Sequence, residues 1–351
     1  MLRKIKLAVL HGSKACGIFA LAAGSRWRRE RLLILAYHGI SLDDEHLWSP
    51  GLFMTQEQFA SRLEILKRAG CRVLPLGEAL ERLERGDLPP KSVALTFDDG
   101  FHDFYRMAWP VLHSYSFPVT LYLTTYYSFY NRPVFDVVCS YLLWKGREAR
   151  IDGAEFTGES GLLDLSSEET RNRAVKRIWK FAGARGLTAE EKDALAQRLA
   201  HSLEVDYQRI LDQRLLHLLN PAEVRELADA GVDIQLHTHR HRTPLDHTLF
   251  VREVADNRRA IEELTQKSAT HFCYPSGVTD PQLFPWLEET RVLSATTCEA
   301  GFATRASHKF LLPRLLDSSP MPAIEFESWL TGLAGVLPQR RVAPQEVSYH
   351  A

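Results

Sequence analysis

Two groupings of side chains in this 351-residue sequence have the types and spacing to do chemistry. The first is the adjacent pair Asp98 and Asp99, which ends an apolar run over residues 91–97 and precedes Gly100. Neighbouring carboxylates repel each other, so a site that keeps both ionised needs a cation beside them. Taken alone, Asp-Asp-Gly also reads as an ordinary turn at a strand end. The second grouping is His237, His239 and His241, which follows the apolar run 232–236. If the chain turns there, His237 and His241 converge on one ion, while His239 points away or supports the other two. A carboxylate with two neutral imidazoles is a common donor set for catalytic zinc or a related divalent metal, and it leaves positions open for water and substrate.

Such groups act together only if the elements between them bring them to one place. Apolar runs at residues 32–40, 91–97, 118–124, 232–236, 271–274 and 293–297 read as buried strands, with a shorter one at 71–74 and a last one at 310–316. Helices alternate with them. Residues 55–58 read as a capping box that opens one helix, and Asn220 as the N-cap of another with Pro221 at its first position. Strands alternating with helices at this spacing predict a parallel sheet or barrel whose site gathers at the C-terminal strand ends. His38, Asp98, Asp99 and His237 all stand at such ends. Residues 137–219 are charged and rich in helix formers. They read as a helical insertion rather than an independent domain, because their apolar stripes need the main body to cover them. The expected organisation is a helical, basic segment over 1–31, an α/β body over 32–320 carrying the insertion, and a C-terminal tail over 321–351 that is polar after Pro338.

Composition narrows the function class. Hydrophobic residues make up 45% and charged residues 25%, as in a folded globular protein. Formal net charge is -1, so no global basic field points to nucleic acid, and none is expected as a partner. The five cysteines are scattered, odd in number and without Cys-x-x-Cys spacing, which fits a reducing compartment better than a disulfide framework. Residues 15–24 are apolar but too short to span a bilayer, and residues 20–23 offer only a weak cleavage site. The plain reading is a helix packed on the body. The sharper one is a peripheral membrane contact through the basic flank at 26–31. The expected location is cytoplasmic, with membrane association on the cytoplasmic side.

The two groupings, taken with their surroundings, resemble a known family. Thr96-Phe97-Asp98-Asp99-Gly100 and His237-Thr238 with His241 look like the two signature motifs of the polysaccharide deacetylases, also called the NodB-homology or carbohydrate esterase 4 group. Tyr37-His38-Gly39-Ile40 resembles the opening strand of many members, Phe272-Cys273-Tyr274-Pro275-Ser276-Gly277 the third motif, and Leu312-Pro313-Arg314 the late strand. The likeness covers most of residues 32–136 and 220–317. It implies a distorted (β/α) barrel of about seven strands, of the NodB type, interrupted here by the helical insertion. It also implies one divalent ion, zinc by preference with cobalt, nickel or manganese as substitutes, held by Asp99, His237 and His241. Asp98 would be the general base and the backbone N–H of Ser276 the oxyanion donor, with Tyr274 and Pro275 against the substrate. Trp109 and the aromatic residues of 122–129 could stack on sugar rings, although such residues are more often core.

Two departures from the family pattern bear on the chemistry. The position where many members carry an arginine that orients the base is Cys273; Arg314 could supply that charge from a neighbouring strand. The late histidine that protonates the leaving amine in many members has no counterpart after Leu311, and relatives that look circularly permuted place it on the first strand. His38 takes that role here. The resemblance therefore implies removal of N-acetyl groups from GlcNAc-type residues of a polysaccharide or glycan precursor. Two alternatives stand beside it: hydrolysis of another amide or ester on the same centre, and a non-catalytic glycan binder on a degenerate enzyme fold. Cys273 favours the binder; an intact Asp98 opposes it.

Overall fold

Apolar runs that stop abruptly at polar residues become the staves of a parallel sheet. The structure is a computed structural model that describes residues 2–336. Its main strands are β1 (Leu33–Tyr37), β2 (Arg72–Val73), β3 (Ser92–Phe97), β4 (Thr120–Leu123), β5 (Asp233–Leu236), β6 (His271–Cys273), β7 (Ser294–Thr296) and β8 (Leu315–Leu316). They lie in the order β7-β6-β5-β4-β3-β1-β8, all parallel, with β2 paired to the start of β3. The stretch ending in β8 also bridges β7, through Leu312 and Thr296, while Leu315 and Leu316 pair with Leu35 and Ala36 of β1. The two edges of the sheet are thus joined through residues 312–316, and the architecture is the distorted barrel expected.

The period of two along each strand sorts side chains between the barrel interior and the surrounding helices. Ile34, Ala94, Tyr122, Cys273 and Leu312 pack together with Leu76, Ala79 and Leu83 of the helix Leu76–Arg85. Their neighbours on the other strand face, among them Leu33, Leu35, Leu95, Leu121, Phe272 and Tyr274, join the larger cluster beneath the outer helices. Arg314 shares the parity of Leu312, and Asp98 that of Ala94, so both reach the interior at the strand ends.

Local signals explain the helices. Asn220 accepts from the N–H groups of Ala222 and Glu223, and the Glu223 carboxylate returns to the Asn220 N–H at 2.9 Å, a complete capping box. At Thr55 only half of the box forms: its hydroxyl caps Gln58 N, but the Gln58 amide donates instead to Ser319 O.

The insertion departs from expectation in one respect. Besides helices such as Phe135–Lys145, Glu168–Ala184 and Ala189–Ser202, it holds an antiparallel pair, Arg150–Asp152 with Leu162–Asp164. Its apolar residues form a second core that also takes in Phe53 and Phe101 of the main body. The tail expected from 321 begins instead with the helices Ala323–Thr331 and Leu333–Val336, and Ile324, Phe326, Trp329 and Leu330 of the first are buried. The rest of that tail, 337–351, lies outside the described residues. At the other end, helices α1 (Leu2–Ala15) and α2 (Ile18–Gly24) meet at 76° and pack through Leu10 and Phe19 on Ile324.

Candidate active site

Consecutive residues of a strand point to opposite faces, so an adjacent acidic pair would normally be split between core and helix layer. Here Asp99 adopts φ 70 and Gly100 φ 83, and this left-handed turn brings the Asp99 carboxylate to the same cleft as Asp98. Gly100 has no room for a side chain, since a Cβ would sit 2.3 Å from Leu123 Cδ1. Thr238, His241 and Ser276 also have positive φ, at 62, 54 and 55. Backbone held in this costly region at several strand ends around one cleft is a mark of a functional site.

Asp98 is 2% exposed and is gripped by Arg314, whose two terminal nitrogens donate to its two oxygens at 2.7 Å each. The guanidinium is itself held by Thr297 O at 2.9 Å and by Thr96 Oγ1 at 3.1 Å, and it touches Cys273 Sγ at 3.1 Å. Burial pushes the Asp98 carboxyl up, but the charge and hydrogen bonds of Arg314 outweigh it and hold the group below the usual carboxylate range. The cation that the third motif lacks at Cys273 therefore arrives from the stretch before β8. His38, at the end of β1, places Nε2 3.7 Å from Asp98 Oδ2.

Asp99 lies beside both histidines of the second motif. Its Oδ1 is 3.2 Å from His237 Nε2 and 3.1 Å from His241 Nε2. His237 Nδ1 is 2.8 Å from the Cys273 carbonyl, which can only accept, so Nδ1 carries the proton and Nε2 faces the carboxylate with its lone pair in the neutral ring. The three ligand atoms lie within 4.8 Å of one another, all on buried residues. One hard carboxylate and two imidazoles at that spacing fit a divalent ion of the zinc class. Burial pushes the Asp99 carboxyl up, yet when the rings are protonated the charge of His241 and hydrogen bonds from His237 and His241 hold it well below its ordinary value.

Ser276 follows β6 in the short helical turn Pro275–Gly277, on the same rim. The proposed substrate contacts fare differently. Tyr274 is 1% exposed, and its ring packs on Phe272 in the main core, so no face is open to a sugar. It follows Cys273 and so takes the outer parity. Pro275 is buried as well. Tyr122 and Tyr127 are buried, Trp109 packs on the core, and Phe129 is exposed. His239 turns away: its Nδ1 meets Thr125 Oγ1 at 2.8 Å.

Two supporting residues were not singled out from the sequence. Asn257 accepts from the His237 N–H at 2.9 Å and donates to Leu123 O, while Glu253 accepts from the Arg240 N–H and from the side chains of Arg240 and Arg242. Both come from the helix His247–Thr265 and hold the loop that carries the two histidines. The signal was available: Glu253 and Asn257 sit four apart on the face that also carries Phe250, Val254 and Ile261. Beside the ligand cluster an open cleft is walled by Tyr127, Val134, Asp136 and Leu218 and by Asp99, Arg240 and His241.

Comparison with known proteins agrees with this geometry. The family model for polysaccharide deacetylase matches residues 85–137 and 194–292, which contain both ligand motifs. Poly-beta-1,6-N-acetyl-D-glucosamine N-deacetylases of Staphylococcus epidermidis and Staphylococcus aureus are 36% and 35% identical over 72 residues. Those matches take in 20% of this chain and only 25% of each relative's length. Among solved structures, a Streptococcus pyogenes deacetylase in complex with acetate superposes with TM-score 0.55 at 18% identity, covering 84% of this chain and 96% of its own. IcaB from Ammonifex degensii gives 0.51 at 17%, covering 86% and 97%. At such identities these structures establish a shared fold.

Proposed function

We propose that this chain, matched by the polysaccharide deacetylase family across both of its ligand motifs, is a divalent-metal-dependent hydrolase. Its reaction is removal of N-acetyl groups from GlcNAc-type residues of a polysaccharide or glycan precursor. The observation that carries the reading is the buried Asp98–Arg314 pair beside the Asp99–His237–His241 cluster. A pure binder has no use for an ionised, tethered carboxylate next to a metal site. The missing arginine that favoured the binder is made good by Arg314.

An ion held by Asp99, His237 and His241 would acidify a water and polarise the acetamide carbonyl. The chain's own residues supply the rest. Arg314 fixes the plane of the Asp98 carboxylate and keeps it ionised, and each oxygen retains a further lone pair to accept a proton from the attacking water. The Ser276 N–H serves the developing oxyanion. His38, with Nε2 3.7 Å from Asp98 Oδ2, delivers a proton to the departing nitrogen. The walls of the cleft receive the sugar, a role that Tyr274 and Pro275 do not share.

Acetate release from N-acetylglucosamine oligomers, with simple aryl esters as the comparison, tests the assignment. Asp98→Asn is expected to retain zinc binding and to lose acetate release by about 100-fold or more. Undiminished release by that variant would remove Asp98 from the mechanism. Ester cleavage without amide cleavage would move the substrate class.

A further inference from the structure

The N-terminal helices pack one apolar stripe, with Leu7, Leu10 and Phe19, on the body and leave further apolar residues facing outward. A surface helix ordinarily turns its apolar stripe to the core and its charges outward. Of the four Lys and Arg residues of α1, three reach back to the body: Arg3 donates to Pro320 O at 2.7 Å, Lys6 pairs with Glu325 at 2.6 Å, and Lys14 pairs with Glu327. The outward face carries Ile5 and Val9, 50% and 54% exposed, and it continues into α2 with Ile18 at 41% and Leu21 at 76%. Single exposed apolar residues are unremarkable, but four on two joined helices form a patch.

This surface is held in place rather than loosely tethered. Arg28, 0% exposed in the helix Arg26–Arg29 that follows, donates to Leu330 O, Arg31 O and Ser92 O, and so ties the segment to the barrel. The ends of the patch are basic. Residues 1–29 contain seven Lys and Arg and no Asp or Glu. Lys4 and Arg29 are exposed, and the Arg26 side chain is 90% exposed although paired with Glu30.

We propose that α1 and α2 dock in the interfacial layer of a lipid bilayer bearing anionic headgroups. The apolar patch enters the acyl boundary, and Lys4, Arg26 and Arg29 lie at headgroup level. Charge argues for lipid over a second copy of this chain, because two copies meeting across the patch would set the same cations against each other. No described single helix is long and apolar enough to cross a membrane; α1 and α2 reach that length and apolarity only as a pair bent by 76°, and the salt bridges to Glu325 and Glu327 that hold α1 on the body favour a surface position. Position adds a consequence. α1 begins beside Pro320, just past Asp317, whose N–H bonds Ala36 O at the end of β1. The start of α1 therefore approaches the rim on which the strand ends gather Asp98 and His38, while Arg28 ties the far end of the segment to Ser92, at the other end of β3.

The test is vesicle co-sedimentation of the full chain. Phosphatidylcholine vesicles with about 30 mol % phosphatidylglycerol are compared with phosphatidylcholine alone. The expected result is binding to the anionic vesicles, at least about tenfold weaker to neutral ones. A combined Ile5→Glu, Val9→Glu, Leu21→Glu variant should lose sedimentation by about tenfold or more while its melting temperature and its acetate release from soluble oligomers stay unchanged. A Lys4→Glu, Arg29→Glu variant, which touches no core residue, should weaken anionic binding alone. The proposal is overturned by failure to sediment, by equal binding to both vesicle types, by undiminished binding of the triple variant, or by a dimer in light scattering that the triple variant dissolves. Acetate release is read separately, so failure of the deacetylase reading leaves the vesicle result standing.

Discussion

The guanidinium of Arg314 occupies the place of a charge that local sequence comparison would look for at Cys273. Removing it leaves a buried carboxylate without its counter-charge, a change that typically costs about 3–5 kcal/mol and raises the carboxyl pKa. Arg314→Ala is therefore expected to lower kcat by about 100-fold with little change in zinc affinity. Arg314→Lys, which keeps charge but loses the two-pronged grip, should fall between it and the parent. Steady-state acetate release alongside zinc titration checks both, and an unchanged kcat for Arg314→Ala would remove the tether. The ligand set was legible in the sequence, because Asp99, His237 and His241 sit in compact motifs at strand ends. The tether was legible only as a conjecture, since 216 residues separate it from Asp98. Tyr274 was misjudged because an aromatic residue beside a motif suggests a sugar platform. Strand parity, counted one residue on from Cys273, places it among the outer helices.

Turns and the insertion decide whether those side chains meet. Gly100→Ala must adopt a left-handed conformation and force a Cβ against Leu123, so a loss of about 1–3 kcal/mol is expected in urea unfolding. His217 lies where the insertion returns to the barrel: its carbonyl accepts from the His102 N–H at 2.8 Å, and Pro133 bridges to it. Burial pushes its imidazole down to about 4, below the ordinary 6.5. The unfolded chain thus takes up a proton at a pH where the folded one does not. The stability from this residue is complete above about 6.5 and drains as pH falls toward 4, with a slope of at most about 1.4 kcal/mol per pH unit. His217→Gln should flatten the fall in urea midpoint between about pH 6.5 and 4.5 relative to the parent. The insertion's helices could be read from their apolar spacing. Its hairpin could not, because strands of three residues with only the middle one buried carry almost no periodic signal.

For the whole molecule, the ligand cluster draws on the ends of β3 and β5 and on the loop between β5 and the helix His247–Thr265, so an ion bound there links distant parts of the chain. Chelation is expected to abolish acetate release and to lower the melting temperature by roughly 5 °C, both restored by zinc. A melting temperature indifferent to chelator would count against tight binding. The overall plan was visible from alternating strands and helices; the burial of residues 323–331 was missed although Ile324, Phe326, Trp329 and Leu330 carried an apolar signal. The stretch 312–316 does two jobs at once. It is the last hoop that keeps the barrel from gaping, and it carries the only guanidinium found gripping Asp98 among the described residues. The hoop is short on its β1 side, where β8 has just two residues, while toward β7 the N–H groups of Ala295, Thr297, Leu312 and Arg314 all take part in backbone bonds across it. Warming should open the β1–β8 seam before the longer strand pairs give way. If the proposed activity is present, heat would then stop acetate release while spectroscopy still reports an intact protein, and prompt cooling would bring the release back.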